Sequence, residues 1–149
     1  MYRGTRDGFY CEAFHSKCDG KRNTVTIIKN NLDYVFGGLA SHAWHSSVSY
    51  IKDPNAFLFS LRRDGVSYKD KFKIEKALFQ FSGRYSSDRP TFGLCYDIYI
   101  CNQSNTKIGS YINFGRYSYN LPDGYAKEFL TGNANQWTTT EIEVYQIIT

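Results

Sequence analysis

Residues 6–38 read RDGFYCEAFHSKCDGKRNTVTIIKNNLDYVFGG, and this stretch predicts a capped helix that leads into a β-hairpin. Asp7 is a suitable N-cap, since its carboxylate can accept hydrogen bonds from the free N–H groups of a first helical turn. The predicted helix runs to Cys18, and Gly20 is placed to provide the left-handed residue that ends it. Three residues spaced four apart share one face of this helix and are expected to be buried: Tyr10, Phe14 and Cys18.

The second half of the stretch has the pattern of two antiparallel strands. Residues 24–28 and residues 34–36 are rich in β-branched and aromatic side chains, which favour strands. Residues 30–33 form a polar turn, because Asn and Asp tolerate a positive φ. The pair Gly37 and Gly38 then indicates a bend, a bulge or a close approach of another group to the backbone.

Further strands are predicted along the rest of the chain. Residues 56–61 are strongly apolar, and the Asp64-Gly65 pair predicts a tight hairpin turn after them. Residues 138–148 alternate cleanly, with Ile142 and Val144 inward and Glu141 and Glu143 outward. Shorter strands are expected at residues 40–44, 72–74, 77–81, 96–101 and 111–112.

About nine strands with one clear helix predict a mainly β (α+β) fold. We expect a two-sheet antiparallel β-sandwich flanked by a few short helices. The length of 149 residues and the lack of a repeat or linker indicate a single domain over residues 1–149. An aromatic content of 17% supports a sheet-rich core, because aromatic side chains are enriched in strands.

Charge and hydropathy narrow the partners that we expect. The net charge is +4 without a recognition-helix or zinc-finger pattern, so nucleic acid is not an expected partner. No apolar stretch is long enough to span a bilayer, and no signal peptide precedes the domain. We therefore expect no membrane insertion, a cytoplasmic protein and reduced thiols.

Candidate metal ligands and nucleophiles are few in the sequence. His42 and His45 lie three apart, and His15 is distant from both, so we expect surface or packing histidines and no bound metal or other cofactor. No serine has the Gly-x-Ser-x-Gly setting of a nucleophile, and the Gly37-Gly38 pair has no phosphate-binding motif after it.

The four cysteines are Cys11, Cys18, Cys95 and Cys101. Cys11 and Cys18 lie seven apart on the predicted helix, roughly 10 Å along its axis, which is too far for a disulfide between them. We expect both to be small buried apolar residues, with a redox-sensing thiol as the alternative.

Three charged residues have candidate roles: Glu141 and Glu143 on the last strand, and Arg6 before the helix. Glu141 and Glu143 share one face of the last strand, some 7 Å apart, a spacing at which two carboxylates can perform acid–base chemistry. An exposed strand face is the preferred interpretation. Arg6 is predicted to pair with a carboxylate at a strand end and to hold the helix against the sheet.

Several motifs, in order, resemble the TLDc domain, which is found in oxidation-resistance proteins and in many multidomain proteins of protists and fungi. Together they cover nearly the whole chain. The stretches that carry the resemblance are residues 2–9 (YRGTRDGF), 14–15 (FH), 18–21 (CDGK), 24–29 (TVTIIK), 34–38 (YVFGG), 53–61 (DPNAFLFSL), 90–93 (PTFG), 97–100 (DIYI) and 140–147 (TEIEVYQI). Family members usually carry more chain before the first of these, so the domain is either trimmed or part of a longer protein.

The resemblance implies two packed antiparallel sheets and a role in protection against oxidative stress. In the best-studied relatives it also implies binding to the vacuolar proton pump (V-ATPase). We therefore predict a domain without catalysis of its own that docks on a protein partner, with Glu141 and Glu143 as candidate partner-binding residues.

Two departures from the family pattern favour the protist and fungal branch. The chain has Asp53-Pro54-Asn55 where relatives in oxidation resistance carry an acidic residue after Gly-x-Gly, and their later glycine-rich run is reduced to Phe92-Gly93. The alternative is thus a recognition domain at the end of a larger BTB-type scaffold or ubiquitin-ligase adaptor. A second alternative is an uncharacterised enzyme.

Overall fold

The computed structural model describes residues 1–46, 50–74, 80–81, 90–93, 96–115 and 118–148. Its helices are all short: α1 (Gly4–Asp7), α2 (Cys11–Cys18) and a 3-10 turn (Lys127–Leu130). Its strands are β1 (Tyr2–Arg3), β2 (Thr24–Asn30), β3 (Val35–Ala40), β4 (Tyr50–Ile51), β5 (Phe57–Arg63), β6 (Val66–Lys73), β7 (Gln80–Phe81), β8 (Thr91–Phe92), β9 (Ile98–Tyr99), β10 (Tyr111–Ile112) and β11 (Thr139–Gln146). None of the described helices is long and apolar enough to cross a lipid bilayer.

Two antiparallel sheets dominate the structure. The larger has six strands in the order β1-β11-β2-β3-β5-β6, and the smaller has three in the order β10-β9-β8. Strands β4 and β7 form a separate antiparallel pair. These sheets and short helices confirm the predicted mainly β fold. The first strand pairs with the last, since Tyr2 lies opposite Val144 and Arg3 opposite Glu143.

The two sheets share one aromatic core. Phe92 of the small sheet meets Trp44 edge-to-face, with ring centroids 5.7 Å apart, and Trp44 meets Phe14 of α2 at 5.4 Å. Gly38 allows this packing, because a Cβ there would lie 2.6 Å from the Phe92 ring. The close approach predicted for the glycine pair is therefore confirmed. Side chains from both sheets complete this core: Ile28, Phe36, Leu58, Ile98, Ile112, Ile142 and Val144.

The opening helix differs from its prediction. The chain forms α1 and α2 with a break between them, because Gly8 adopts φ +100°. Asp7 is the last residue of α1 and does not cap α2. Instead, the N–H of Cys11 donates to Oδ1 of Asn102, 3.0 Å away and distant in sequence. Tyr10 is correspondingly 55% exposed, so its predicted burial is wrong, whereas Phe14 and Cys18 are buried as expected.

Both predicted hairpins are present. β2 pairs with β3 antiparallel, and Asn30 fixes the turn because its Oδ1 accepts from the N–H groups of Leu32 and Tyr34. β5 pairs with β6 through a turn in which Asp64 and Gly65 both have positive φ, at 47° and 76°. A turn with two positive φ angles matches the twist of its strands, which is why this pair is favoured there.

The strand predicted at residues 40–44 is wrong. β3 ends at Ala40, and Trp44 makes only an isolated bridge with Asp19. Hydrogen bonds to a buried carboxylate replace the ladder, since Asp53 accepts from the N–H groups of Ser41 and His42.

One other strand is shorter than predicted, and a second prediction lies partly outside the described residues. Of residues 96–101 only β9 is a strand, and Tyr96 has φ +65°, which a strand does not permit. Of residues 77–81 only β7 belongs to the described part of the chain, and residues 77–79 lie outside it. The final strand, by contrast, follows its prediction, with Ile142 and Val144 fully buried.

Candidate functional site

Arg3 closes one edge of the six-stranded sheet by pairing with both carboxylates of β11. Its Nε lies 3.1 Å from Oε2 of Glu141, and its second terminal nitrogen lies 2.9 Å from Oε1 of Glu143. These contacts join β1 to β11 through side chains as well as through the backbone ladder. We call the cluster of Arg3, Thr5, Glu141 and Glu143 the edge lock.

Thr5 of α1 completes the edge lock. Its N–H and its hydroxyl donate to the two oxygens of Glu141, at 3.0 and 2.5 Å. Burial alone would raise the pKa of Glu141, but the hydrogen bonds from Thr5, from the N–H of Ile142 and from Arg3 lower it on balance. Glu141 is therefore an ionised acceptor that ties α1 to the sheet, and acid–base chemistry at this carboxylate would require the lock to open.

Glu143 is engaged on its other side by Tyr145, whose hydroxyl donates to Oε2. This bond to Glu143 raises the pKa of Tyr145. The Glu141 and Glu143 side chains are 19% and 21% exposed, so each still reaches the surface. Their role in binding a partner stays a prediction, and any partner would meet carboxylates that are already paired.

The prediction for Arg6 is wrong, because Arg3 pairs with the strand carboxylates and Thr5 holds α1 against the sheet. Arg6 pairs with its neighbour Asp7 at 2.7 Å and donates to the carbonyl of Met1. The Arg6 hydrogen bond, together with the N–H of Arg3, lowers the pKa of Asp7 to about 2. Asp7 thus stabilises the start of α1 from within the helix.

An open cleft lies beside the edge lock, with a volume of about 460 Å³. Its walls come from α1, from the break between the helices and from the loop after β9. The lining residues are Gly4, Thr5, Gly8, Phe9, Tyr10, Gln103, Asn105 and Thr106. Apart from the phenol of Tyr10 these side chains do not titrate, so the cleft offers hydrogen bonds and little acid–base chemistry.

The histidines have individual structural settings. His15 is 7% exposed, and its Nδ1 lies 2.8 Å from Oδ1 of Asp19, one turn along. His42 lies with Nδ1 3.6 Å from Oδ2 of Asp53. In the described ranges, no three His, Cys, Asp or Glu side chains come together as metal ligands would.

The described cysteines are buried: Cys11, Cys18 and Cys101. Cys95 lies outside the described residues. Burial, followed by the charge of Asp19, raises the pKa of Cys18 to about 12, which suppresses the reactive thiolate. The predicted burial of Cys11 and Cys18 is confirmed, and neither has the setting of a reactive thiol.

Two buried carboxyl groups were missed by the sequence interpretation. Asp53 is fully buried and also accepts from the Ser41 hydroxyl and the N–H of Asn55, so it ties two loops together. The Asp-Pro-Asn sequence is the signal that could have identified Asp53, because an Asp side chain often accepts a hydrogen bond from the N–H two residues further along the chain. Asp97 is 1% exposed and accepts from the N–H of Gly115. Burial raises the pKa of Asp97 to about 7.

The opposite edge of the six-stranded sheet is formed by β6 and has a different character. β6 is the terminal strand, and no described residue pairs with its outer side. Beyond its end, Ile74 makes a single antiparallel bridge with Tyr119. Three lysines spaced two apart project from the strand, all exposed and without an ion pair to any described residue: Lys69, Lys71 and Lys73. We call residues 69–73 the lysine edge.

Comparison with known proteins identifies the family. A family model for the TLDc domain matches residues 1–148, almost the whole chain. No curated protein matches the chain. The chain belongs to the TLDc domain family, and it is thus an oxidative-stress-related domain in the general sense of that family.

Proposed function

We propose that this TLDc domain works by docking on a protein partner, without catalysis of its own, in the protection of the cell against oxidative stress. The first partner to consider is the cytosolic sector of the V-ATPase, because the resemblance implies pump binding in the best-studied relatives. The protein would then act in the cytoplasm, where that sector is exposed.

The observation that carries this proposal is the contrast between the two edges of the six-stranded sheet. At one edge the terminal strand β1 is only two residues long, and the edge lock ties β1 and α1 to β11 through Thr5 and three charged side chains. At the lysine edge no described strand pairs with the outer side of β6, and only the loop that carries Asn120 and Pro122 lies beside it. A free edge offers a row of backbone donors and acceptors to another chain, and proteins commonly bind partners by this means.

The chemistry of the described surface supports docking over catalysis. The cleft beside the edge lock is lined by neutral groups, and both nearby carboxylates are held in ion pairs. A general base must be free to take a proton from a substrate, and these groups are not.

Capture of the purified cytosolic sector of the V-ATPase by the immobilised domain tests the proposal. We expect retention of the sector and a change in its ATP hydrolysis or its assembly with the membrane sector. Failure to retain it, with pump activity unchanged at saturating domain, would refute pump binding. The Glu143→Gln variant adds an internal test, because unchanged capture would show that Glu143 is not part of the contact.

A further inference from the structure

We propose that the lysine edge is a binding site for an extended acidic peptide segment, which adds to the six-stranded sheet as a further strand beside β6. This inference rests on the proposed docking function and gives that docking a location and a partner chemistry. It follows from the open edge, the charge along it and the shape of the surface beside it.

No strand in the described part of the chain pairs with the outer side of the lysine edge. In an antiparallel ladder, alternate residues direct their N–H and C=O groups to opposite sides, so a terminal strand leaves half of them unpaired. The five residues from 69 to 73 span roughly 17 Å, the length of an ordinary strand. An extended segment of similar length would satisfy these groups.

A groove already lies along this edge. Its volume is about 410 Å³, and its lining combines three consecutive residues of β6 with the loop beside them: Lys71, Phe72, Lys73, Asn120 and Pro122. The bridge between Ile74 and Tyr119 marks where that loop leaves the strand. Pro122 has no N–H to donate, so this position of the loop adds no donor to the ladder.

The positive charge of the lysine edge favours an acidic partner. Lys69, Lys71 and Lys73 lie on alternate residues, and Lys71 also has its Nζ 3.9 Å from the centre of the Phe57 ring. The one acidic residue within this edge is Asp70, and Arg63 neutralises it at 2.7 Å. Two copies of this edge would place lysine against lysine, which opposes self-pairing. A strand with an acidic residue at every second position would place carboxylates opposite Lys71 and Lys73, which lie in the regular part of the ladder, and near Lys69, which lies at its irregularity.

A second cavity gives those acidic side chains room. It has a volume of about 260 Å³ and shares Lys71 and Lys73 with the groove. Its remaining walls are Pro54, Asn55, Ala56 and Phe57. Since Phe57 lies opposite Lys73 and Phe59 opposite Lys71, both lysines stand on this face of the sheet.

A peptide is favoured over a nucleic acid at this site. A strand edge presents donors and acceptors in alternation, and a peptide backbone matches both, whereas phosphates only accept. Tyr68, the exposed aromatic residue that precedes this edge, has the Arg63 guanidinium 3.4 Å from its ring centre, which occupies one of its two stacking faces.

Binding of a labelled peptide of roughly ten residues, alternating Glu and Thr, tests the inference by fluorescence anisotropy and amide proton–nitrogen correlation spectra. We expect saturable binding, with amide shifts concentrated in β6. The variant K69E/K71E/K73E should bind roughly tenfold more weakly, since three exposed ion pairs are lost. The variant K17E/K21E/K107E makes the same charge change at exposed lysines elsewhere, and its affinity should change much less.

Backbone pairing is tested by two further peptides, one N-methylated at its Glu residues and the other at its Thr residues. Only one of these sets of N–H groups can face β6, so only one peptide should lose binding. Equal binding of both, shifts outside β6, or equal affinity of the two lysine variants would overturn the inference. Tighter binding of a single-stranded oligonucleotide than of the peptide would also overturn it. A pump sector that is captured while the peptide fails would refute this inference alone, and a peptide that binds while capture fails would refute only the proposed partner.

Discussion

Replacing Asp97 with asparagine should change how the stability of this domain depends on pH. Asp97 is buried beneath the small sheet, where its Oδ1 accepts from the N–H of Gly115 at 3.2 Å. Its Oδ2 has no hydrogen-bond partner among the described residues. Burial raises the pKa of Asp97 from 3.8 to about 7, although backbone N–H groups partly oppose that effect. The charged form is thus disfavoured in the folded protein.

The sign and size of the effect follow from proton linkage. Between about pH 4 and about pH 7 the folded state holds a proton on Asp97 that the unfolded chain has lost, so stability falls as pH rises. A displacement of roughly three pKa units corresponds to about 4 kcal/mol of folding stability, and this contribution is fully lost above pH ~7. The amide introduced by the substitution keeps an acceptor for the N–H of Gly115 and cannot ionise. We therefore expect the Asp97→Asn variant to gain up to about 4 kcal/mol relative to the parent between pH ~4 and pH ~8.

Urea denaturation of both proteins at several pH values measures this difference. Other titrating groups are common to both and cancel, provided that they do not interact with Asp97. Asp123→Asn, at an exposed position, is the control, and the difference in stability between this variant and the parent should change little with pH. A difference between the Asp97 variant and the parent that stays constant over this pH range would refute the reasoning.

Three further predictions concern the edge lock, the core and the thiols. Glu141→Gln should lower the free energy of unfolding by about 1–2 kcal/mol in urea denaturation, because Thr5 and Arg3 lose an ionised acceptor. This loss should shrink as pH falls below about 4. A loss no larger than that of Glu143→Gln would contradict the prediction. Gly38→Ala should lower the free energy of unfolding by about 1–3 kcal/mol, since the new Cβ would meet the Phe92 ring. The loss should be smaller in a Phe92→Leu background. Additive losses in the double variant would show that the two residues do not interact. Cys18 should resist N-ethylmaleimide in the native protein and react with it after denaturation, because the thiol is buried. Peptide mass spectrometry measures the labelling. Rapid labelling of the native thiol would count against its burial.

The parts of the fold that could be predicted from the sequence are those that local chemistry decides. The Asp64-Gly65 turn allows positive φ at both positions, and no distant residue is needed to favour the hairpin. The last strand is equally local, since only one register buries Ile142 and Val144 together. The same alternation places Glu141 and Glu143 on the opposite face, where ion pairs with Arg3 leave them only partly exposed.

The parts that failed depend on residues far away in sequence. Asp7 has the chemistry of an N-cap, but the break at Gly8 separates it from α2, and the side chain that meets the start of α2 is Asn102. The choice between Arg3 and Arg6 was decided by pairing between the first and last strands, which local rules do not contain. The lysine edge could not be identified either, because its openness depends on the order of strands in the sheet.

The position of β11 has a consequence for synthesis of the protein. This strand lies between β1 and β2, so the ribosome makes both of its neighbours first and the strand itself last. During translation, β2, β3, β5 and β6 can pair in the order in which they are made while one flank of β2 remains bare. Only when β11 emerges is the gap filled and the N-terminal segment fixed. The nascent chain therefore exposes a strand flank that chaperones would need to shield until β11 has been made.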